Sequence, residues 1–471
     1  MKNSRILTIA SFSFFVAWLL SFAYEGQIFY ALADWYKIDS GTMVLGAILL
    51  HAAGLFSCGF AAKNMQTAKN LMIVATIVCI TGSSVFFFRP SGMWAAALLT
   101  ISFFAGWWNA AWAWFYRDCS AKNQRMGTVA AAIAASTTIM IGLNLSAIYL
   151  SPFIGLALSV LCLIVSLVFT IQLPKLTSNG FQSNTEKNLR QKTNAQSTKE
   201  RWPAIAQPLA LLCVFIVIVT INSGLMFQVV NPAFAHLTWL TSWYWAVPYI
   251  AALVMVALLP RRINRIYILF GAIAMLGFAF IMFTALDRSA ISYLVVNTLL
   301  MGACGINDLF WWSILGEMLD FHRNPARLFG IGLSVNVGGV LLGEWISGLV
   351  SGPEGEIVPS LVGLAVVCVA LVILPLLYRQ LTLLLRGSTF FTSLKEMPEE
   401  ERNRTVDSLM QAGGLTSREQ DVAALLFRGY TYRMIAQELY LSETTVKTHI
   451  QKIYRKLEVK NKAEFIRKLA K

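Results

Sequence analysis

Charge is scarce in this chain. Of its 471 residues only 13% are Asp, Glu, Lys or Arg, whereas 57% are hydrophobic, a balance that excludes a water-soluble single domain. Histidine is rarer still, at four residues. The seven cysteines (Cys58, Cys79, Cys119, Cys162, Cys213, Cys304, Cys368) are odd in number, scattered, and without any CxxC spacing or histidine pairing. Neither a disulfide framework nor a metal-ligand set is expected from them, and they read as reduced packing residues. The sequence also has no phosphate-binding glycine loop and no Ser/His/Asp grouping. A non-enzymatic protein is therefore expected, with no catalytic residue, no cofactor and no metal.

What is present is apolar and aromatic. Phe, Trp and Tyr make up 12%, with 14 Trp, as expected where rings anchor helices at membrane interfaces. Lys2 and Arg5 precede an apolar run in the manner of a signal peptide, but the run continues to about Tyr36 without a clear small-residue cleavage site, so it reads as a first transmembrane helix. At about 20 apolar residues per span, twelve candidates follow, near 6–32, 43–62, 71–88, 92–115, 127–150, 152–173, 204–228, 237–259, 265–285, 290–315, 327–350 and 357–378. With the N-terminus inside, eighteen Lys and Arg fall in the N-terminal segment and inner loops against three (Lys37, Arg89, Arg288) in the outer loops. That asymmetry predicts a multi-pass protein of the cell membrane with both termini in the cytoplasm.

The polar segment 174–203 divides the spans six and six, and landmarks recur about 200 residues apart. Lys63 and Lys69 correspond to Arg261–Arg265, Gly106-Trp107-Trp108-Asn109 to Gly305-Ile306-Asn307-Asp308, and Arg125 to Arg327. A duplicated six-helix unit accounts for all three offsets. The pattern resembles the major facilitator fold over residues 1 to about 385. That family's loop after the second span normally reads GxLaDRxGR; here Gly59-Phe60-Ala61-Ala62-Lys63-Asn64-Met65 keeps the glycine and a basic residue but not the acid, and the repeat copy, Leu259-Pro260-Arg261-Arg262-Ile263-Asn264-Arg265, also lacks it. In the family those charge pairs belong to transport gating, so their loss argues against transport.

Few polar groups lie inside the apolar spans, and each is costly unless it faces a cavity or a partner. Glu25, Asp308 and Glu344 either line a central ligand or proton site or hydrogen-bond between helices. His51, Asn109, Asn144 and Asn222 read chiefly as interhelical hydrogen-bonding groups, with Asn109, beside the tryptophans of the fourth span, also a candidate for sensing a small-molecule ligand.

The tail differs in kind. Residues 379–471 hold 17 of the 38 Lys and Arg and 11 of the 24 Asp and Glu, too many to enter a bilayer. The expected domains are a first transmembrane bundle over 1–173, a cytoplasmic loop over 174–203, a second bundle over 204–385, a linker over 386–414 and a small four-helix domain over 415–471, making the chain all-α. In the last, Thr416 and Glu419 form a capping box, Gly429 ends the first helix, Thr431 caps a second, and Ser442 caps a third that carries Val446, Ile450, Ile453 and Leu457 at core spacing. Its other face holds Lys447, Thr448, Gln451, Lys452 and Arg455. Two short helices joined by a tight turn, with a basic and polar face on the second, form a helix-turn-helix.

Residues 415–471 are similar throughout to the LuxR/FixJ-type DNA-binding domain, matching its pattern at Leu415, Thr416, Arg418, Glu419, Val422, Gly429, Ile435, Ala436, Leu439, Ser442, Thr445, Val446, Lys447, His449, Ile453, Lys456, Leu457 and Val459. Met434 and Lys462 depart from it. The resemblance implies double-stranded DNA as partner and places Lys447, Thr448 and Gln451 against base edges. It places Ser442, Thr444, Thr445, Arg455 and Lys460 at phosphates, and Ala463, Ile466 and Ala470 on a dimerisation face. A single module buries too little surface for tight specific binding, so a homodimer on DNA is expected. The whole reads as a membrane-embedded one-component transcriptional regulator, with an active secondary transporter fused to a regulatory DNA-binding domain as the alternative.

Overall fold

The computed structural model describes residues 2–23, 26–174, 206–259, 265–350, 357–396, 414–427, 432–439, 441–459 and 464–465. Among these every regular element is helical. The chain divides into two units, Met1–Gln380 and Leu381–Lys471.

In the first unit the apolar runs become helices that start at polar caps. The N-terminal run forms α1 (Lys2–Trp18), a π-helical turn at Leu19–Ala23 and α2 (Gln27–Tyr36). The next four expected spans give α3 (Gly41–Ala61), α4 (Met65–Ser84), α5 (Gly92–Ala111) with the short α6 (Ala113–Cys119), then α7 (Arg125–Tyr149) and α8 (Pro152–Gln172). The Asn64 side chain caps α4 by accepting from the Thr67 amide, and Ser151 caps α8 with Pro152 at its first position, where a missing N–H costs nothing.

The second half repeats the plan. It comprises α9 (Ala206–Ala233), α10 (Ala246–Leu258), α11 (Arg265–Ala285), α12 (Ala290–Met318), α13 (Pro325–Val350) and α14 (Ile357–Glu396). Helix α9 carries a second π-helical turn at Met226–Val230, so the two halves interrupt their first helices at matching places. Such turns open the intrahelical ladder locally.

Among the described residues ten helices are long and apolar enough to cross a membrane, or eleven if the bent pair Ala235–Thr241 and Ala246–Leu258 is one span. The twelve spans expected from sequence differ from this count at α5. That helix is long enough, but its glycine, serine, threonine, asparagine and tryptophans lower its hydropathy. Its inner residues, including Ile101, Ala105, Trp108 and Ala110, are wholly buried against protein, so it does not need a lipid-facing surface all round.

The duplicated landmarks serve matched packing roles. A Cβ on Gly305 would lie 2.6 Å from the Tyr249 carbonyl oxygen, and one on Gly106 would strike the His51 carbonyl and the Leu55 amide. Both glycines thus let backbones touch, α5 on α3 and α12 on α10.

Where the ends of α7 and α12 meet, the two halves are closed on each other. Arg125, only 4% exposed in its side chain, donates from Nη1 and Nη2 to both Asp320 oxygens at 2.9 Å, and also to the Gly316 and Arg117 carbonyls. Lys122 Nζ adds a third contact to Asp320 at 3.0 Å. Deeper along the bundle, Phe12, Trp112 and Tyr116 of the first half meet Trp312 and Phe329 of the second, with centroids 5.6 Å apart for Phe12–Trp312 and 6.1 Å for Trp112–Phe329. Gly59 remains from the altered loop motif because Arg327 passes against it, 2.5 Å from where a Cβ would sit, and the Asn324 amide donates to its carbonyl. Arg125 and Arg327, equivalent by repeat, therefore do different work: one is a buried clamp, and the other, exposed, lies over the Phe60 ring at 5.5 Å.

Candidate nucleic-acid interface and membrane cavity

Of the four membrane residues expected to sense a ligand, Asp308 lines a cavity, together with Phe215, Thr220, Asn307 and Trp311. The lining comes from α9, α11 and α12, so it belongs to the second half alone. Tyr249 Oη donates to Asp308 Oδ2 at 2.7 Å and Trp311 Nε1 donates to Oδ1 at 3.1 Å. Asn307 is buried with neither amide atom hydrogen-bonded, as is Asn222 on α9. Asn109 is buried on α5 with its Oδ1 unbonded, and Glu344 is half-buried on α13; neither belongs to the cavity lining. Glu25 lies outside the described residues. The sequence marks Asn222 as an interhelical hydrogen-bonding group and Asn307 only as a repeat landmark; that both amides lack partners is set by tertiary packing.

In the second unit α15 (Ser417–Phe427), α16 (Tyr432–Glu438) and α17 (Glu443–Lys456) enclose a small core. Val422, Leu426, Ile435, Val446, Ile450, Ile453 and Phe465 are at most 2% exposed. The capping box forms in both directions: Glu419 Oε2 accepts from the Thr416 amide at 2.8 Å, and Thr416 Oγ1 accepts from the Glu419 amide at 3.4 Å. Lys456 Nζ donates to the same Glu419 carboxylate at 2.7 Å. That ammonium, followed by the Thr416 bonds, outweighs burial and holds the Glu419 carboxyl down at about 2, tying the first helix to the end of the third.

Helix α17 presents the polar face. Ser442 caps it by accepting from the Thr445 amide at 3.1 Å, and the apolar positions at spacings of four, three and four turn Val446, Ile450, Ile453 and Leu457 inward. The same periodicity leaves Lys447, Thr448, Gln451, Lys452 and Arg455 exposed along the opposite side. Four or fewer residues separate neighbours of this set, so they form one donor-rich strip of a length suited to a major groove.

Residues 414–469 match the family model "Bacterial regulatory proteins, luxR family". This part of the chain is a LuxR-family helix-turn-helix domain. The HTH-type transcriptional regulator MalT of Vibrio campbellii is 43% identical over 61 residues, and that of Yersinia pestis 41% over 61, in each case 13% of this chain and 7% of the relative. The chain thus spans a small fraction of those relatives. Over the membrane unit the likeness is structural. A bacterial homologue of the iron transporter ferroportin in an outward-facing state superposes with a TM-score of 0.56 at 15% identity, covering 80% of this chain and 99% of that one. The major-facilitator proton:xylose symporter XylE gives 0.56 at 11% identity, covering 80% and 94%. The membrane unit shares the fold of these solved structures.

Within the LuxR-family domain, Lys447, Thr448 and Gln451 stand together and exposed, with Ser442, Thr444 and Thr445 at the start of the same helix and Arg455 near its end. Ser442 and Thr445 are already bonded to each other at the cap. His449 is half-buried with Nδ1 unbonded, which fits packing at the helix edge. Gly429, Thr431 and Lys460 lie outside the described residues, as do Ala463, Ile466 and Ala470 of the expected dimerisation face.

Proposed function

We propose that this chain is a membrane-embedded one-component transcriptional regulator in which the major-facilitator-like unit senses a small molecule and the LuxR-family domain acts on DNA as a homodimer. Chemistry is not its task. Both termini lie in the cytoplasm, where the domain can reach the chromosome. The observation that carries the reading is the exposed strip of Lys447, Thr448 and Gln451 on the capped second helix of a helix-turn-helix, in one chain with a transporter-like fold. Phosphates bound by Arg455 and the helix start would set register, and the strip would read bases.

Receptor rather than carrier is supported by the missing acids in the two repeat loops and by the aromatic and ionic closure between halves. The competing reading, an active secondary transporter carrying a regulatory domain, draws on the likeness to transporters over 80% of the chain. Capture of chromatin on the full-length protein, followed by sequencing, should return a small set of sites with two-fold symmetry; capture of no site would end the regulatory reading. Proton- or sodium-coupled uptake in reconstituted vesicles would favour the carrier.

A further inference from the structure

Asp308 lacks a counter-ion. Among the described residues no Lys, Arg or His pairs with it; its two bonds come from a phenol and an indole, both neutral. A carboxylate offers about four acceptor positions, so roughly two remain, and the residue lies inside an apolar span where an uncompensated charge is costly. The cavity beside it contains one acid and no base. It also contains an unbonded amide: Asn307, 5% exposed, has neither its Oδ1 nor its Nδ2 hydrogen-bonded, and Ser223 and Cys304 complete the polar lining. Thr220 gives its hydroxyl hydrogen to the Ile216 carbonyl at 2.8 Å and has lone pairs left. Phe215 and Trp311 supply aromatic wall, which favours a cation over an anion or a neutral solute.

We infer that this cavity, lined by the second half alone, binds the ammonium head of a small amine, with Asp308 as counter-ion and Asn307 and Thr220 as further acceptors. An ammonium has three N–H donors and no acceptor, which suits the open acceptor positions on Asp308, Asn307 Oδ1 and Thr220 Oγ1. A carboxylate or phosphate would meet Asp308 with like charge. A sugar or alcohol would satisfy the amide but leave the charge unpaired. The inference rests on the reading of the membrane unit as a receptor, and it names the chemistry that the receptor takes.

The test uses full-length protein in lipid nanodiscs and three probes of one size: butylamine, a cation at neutral pH, butan-1-ol and butyrate. Calorimetry should show saturable binding of butylamine alone, weakened roughly 10- to 100-fold in Asp308→Asn. Thr220→Val, which keeps the carboxylate, should weaken the amine by a smaller factor and preserve its preference over butyrate. This second variant decides the matter if Asp308→Asn does not elute as intact protein. The inference is overturned if butylamine does not bind the wild-type chain, if butyrate binds equally, or if neither variant changes amine binding. Failure of the receptor reading is distinguishable. Amine binding with no effect of any solute on a target promoter sinks the receptor and leaves the site. Induction that persists in Asp308→Asn, with no amine binding, does the reverse.

Discussion

Replacing Asp320 by Ala tests whether the ionic contact between α7 and α12 holds the two halves together. In the wild-type chain Asp320 receives two charge-assisted bonds from Arg125 at 2.9 Å and a third from Lys122 at 3.0 Å. Removing one partner of a buried pair costs about 3–5 kcal/mol, mostly because the other charge is left uncompensated. Two facts reduce that figure here: the Asp320 side chain is 23% exposed, and Arg125 keeps its bonds to the Gly316 and Arg117 carbonyls. About 2–3 kcal/mol then remains, all of it lost from the closed arrangement, which corresponds to a rise of about 30- to 150-fold in the open population. Cys119, buried at the end of α6, is a native reporter of that opening. In a chain whose other six cysteines are replaced, maleimide labelling of Cys119 should accelerate by that factor in Asp320→Ala. Arg125→Ala/Asp320→Ala should be little faster than either single variant, because the pair acts as a unit. A labelling rate within about twofold of wild type would refute the clamp, since a contact that holds the halves shut cannot be removed without changing how often they open.

On DNA, Lys447→Ala should cost about 1–3 kcal/mol on a specific site and little on random sequence, whereas Arg455→Ala should weaken both alike and lower the salt slope by about 1; equal losses from Lys447→Ala on both DNAs in a filter-binding titration would remove it as a base reader. The Glu419 carboxyl is held at about 2, below its ordinary 4.5, so the stability it contributes is fully present above the ordinary value and lost as pH falls from there toward 2. Glu419→Gln should flatten that acid limb of thermal stability measured by circular dichroism, and cost roughly 1–3 kcal/mol at neutral pH. Reporters fused after Ser388 and within 180–200 should report cytoplasm, and one near Gly352 the outside; a Ser388 fusion found outside would leave the DNA-binding domain unable to reach the chromosome.

Much of this protein was legible along the chain because it depends on local composition and short periods. Apolar runs of bilayer length and the 200-residue offsets marked out the membrane helices, though not the breaks that divide α1 from α2 and α5 from α6, and Gly106 and Gly305 recur because each half needs the same close backbone approach. The LuxR-family domain was legible in still finer detail: the reciprocal Thr416–Glu419 cap, the Ser442 cap and the inward set Val446, Ile450, Ile453 and Leu457 all follow from spacings of three and four within one helix. Tertiary structure alone decided the rest. Hydropathy along one segment cannot show that α5 is shielded by protein, nor that Asp308 faces a cavity lined by one half while Asn109 and Glu344 do not. Arg125 and Arg327 look alike in a charge count, yet one is sealed against Asp320, 195 residues away, and the other lies on the surface over Phe60. Burial and pairing of a charge are set by residues far apart in the chain, and only folding brings those together.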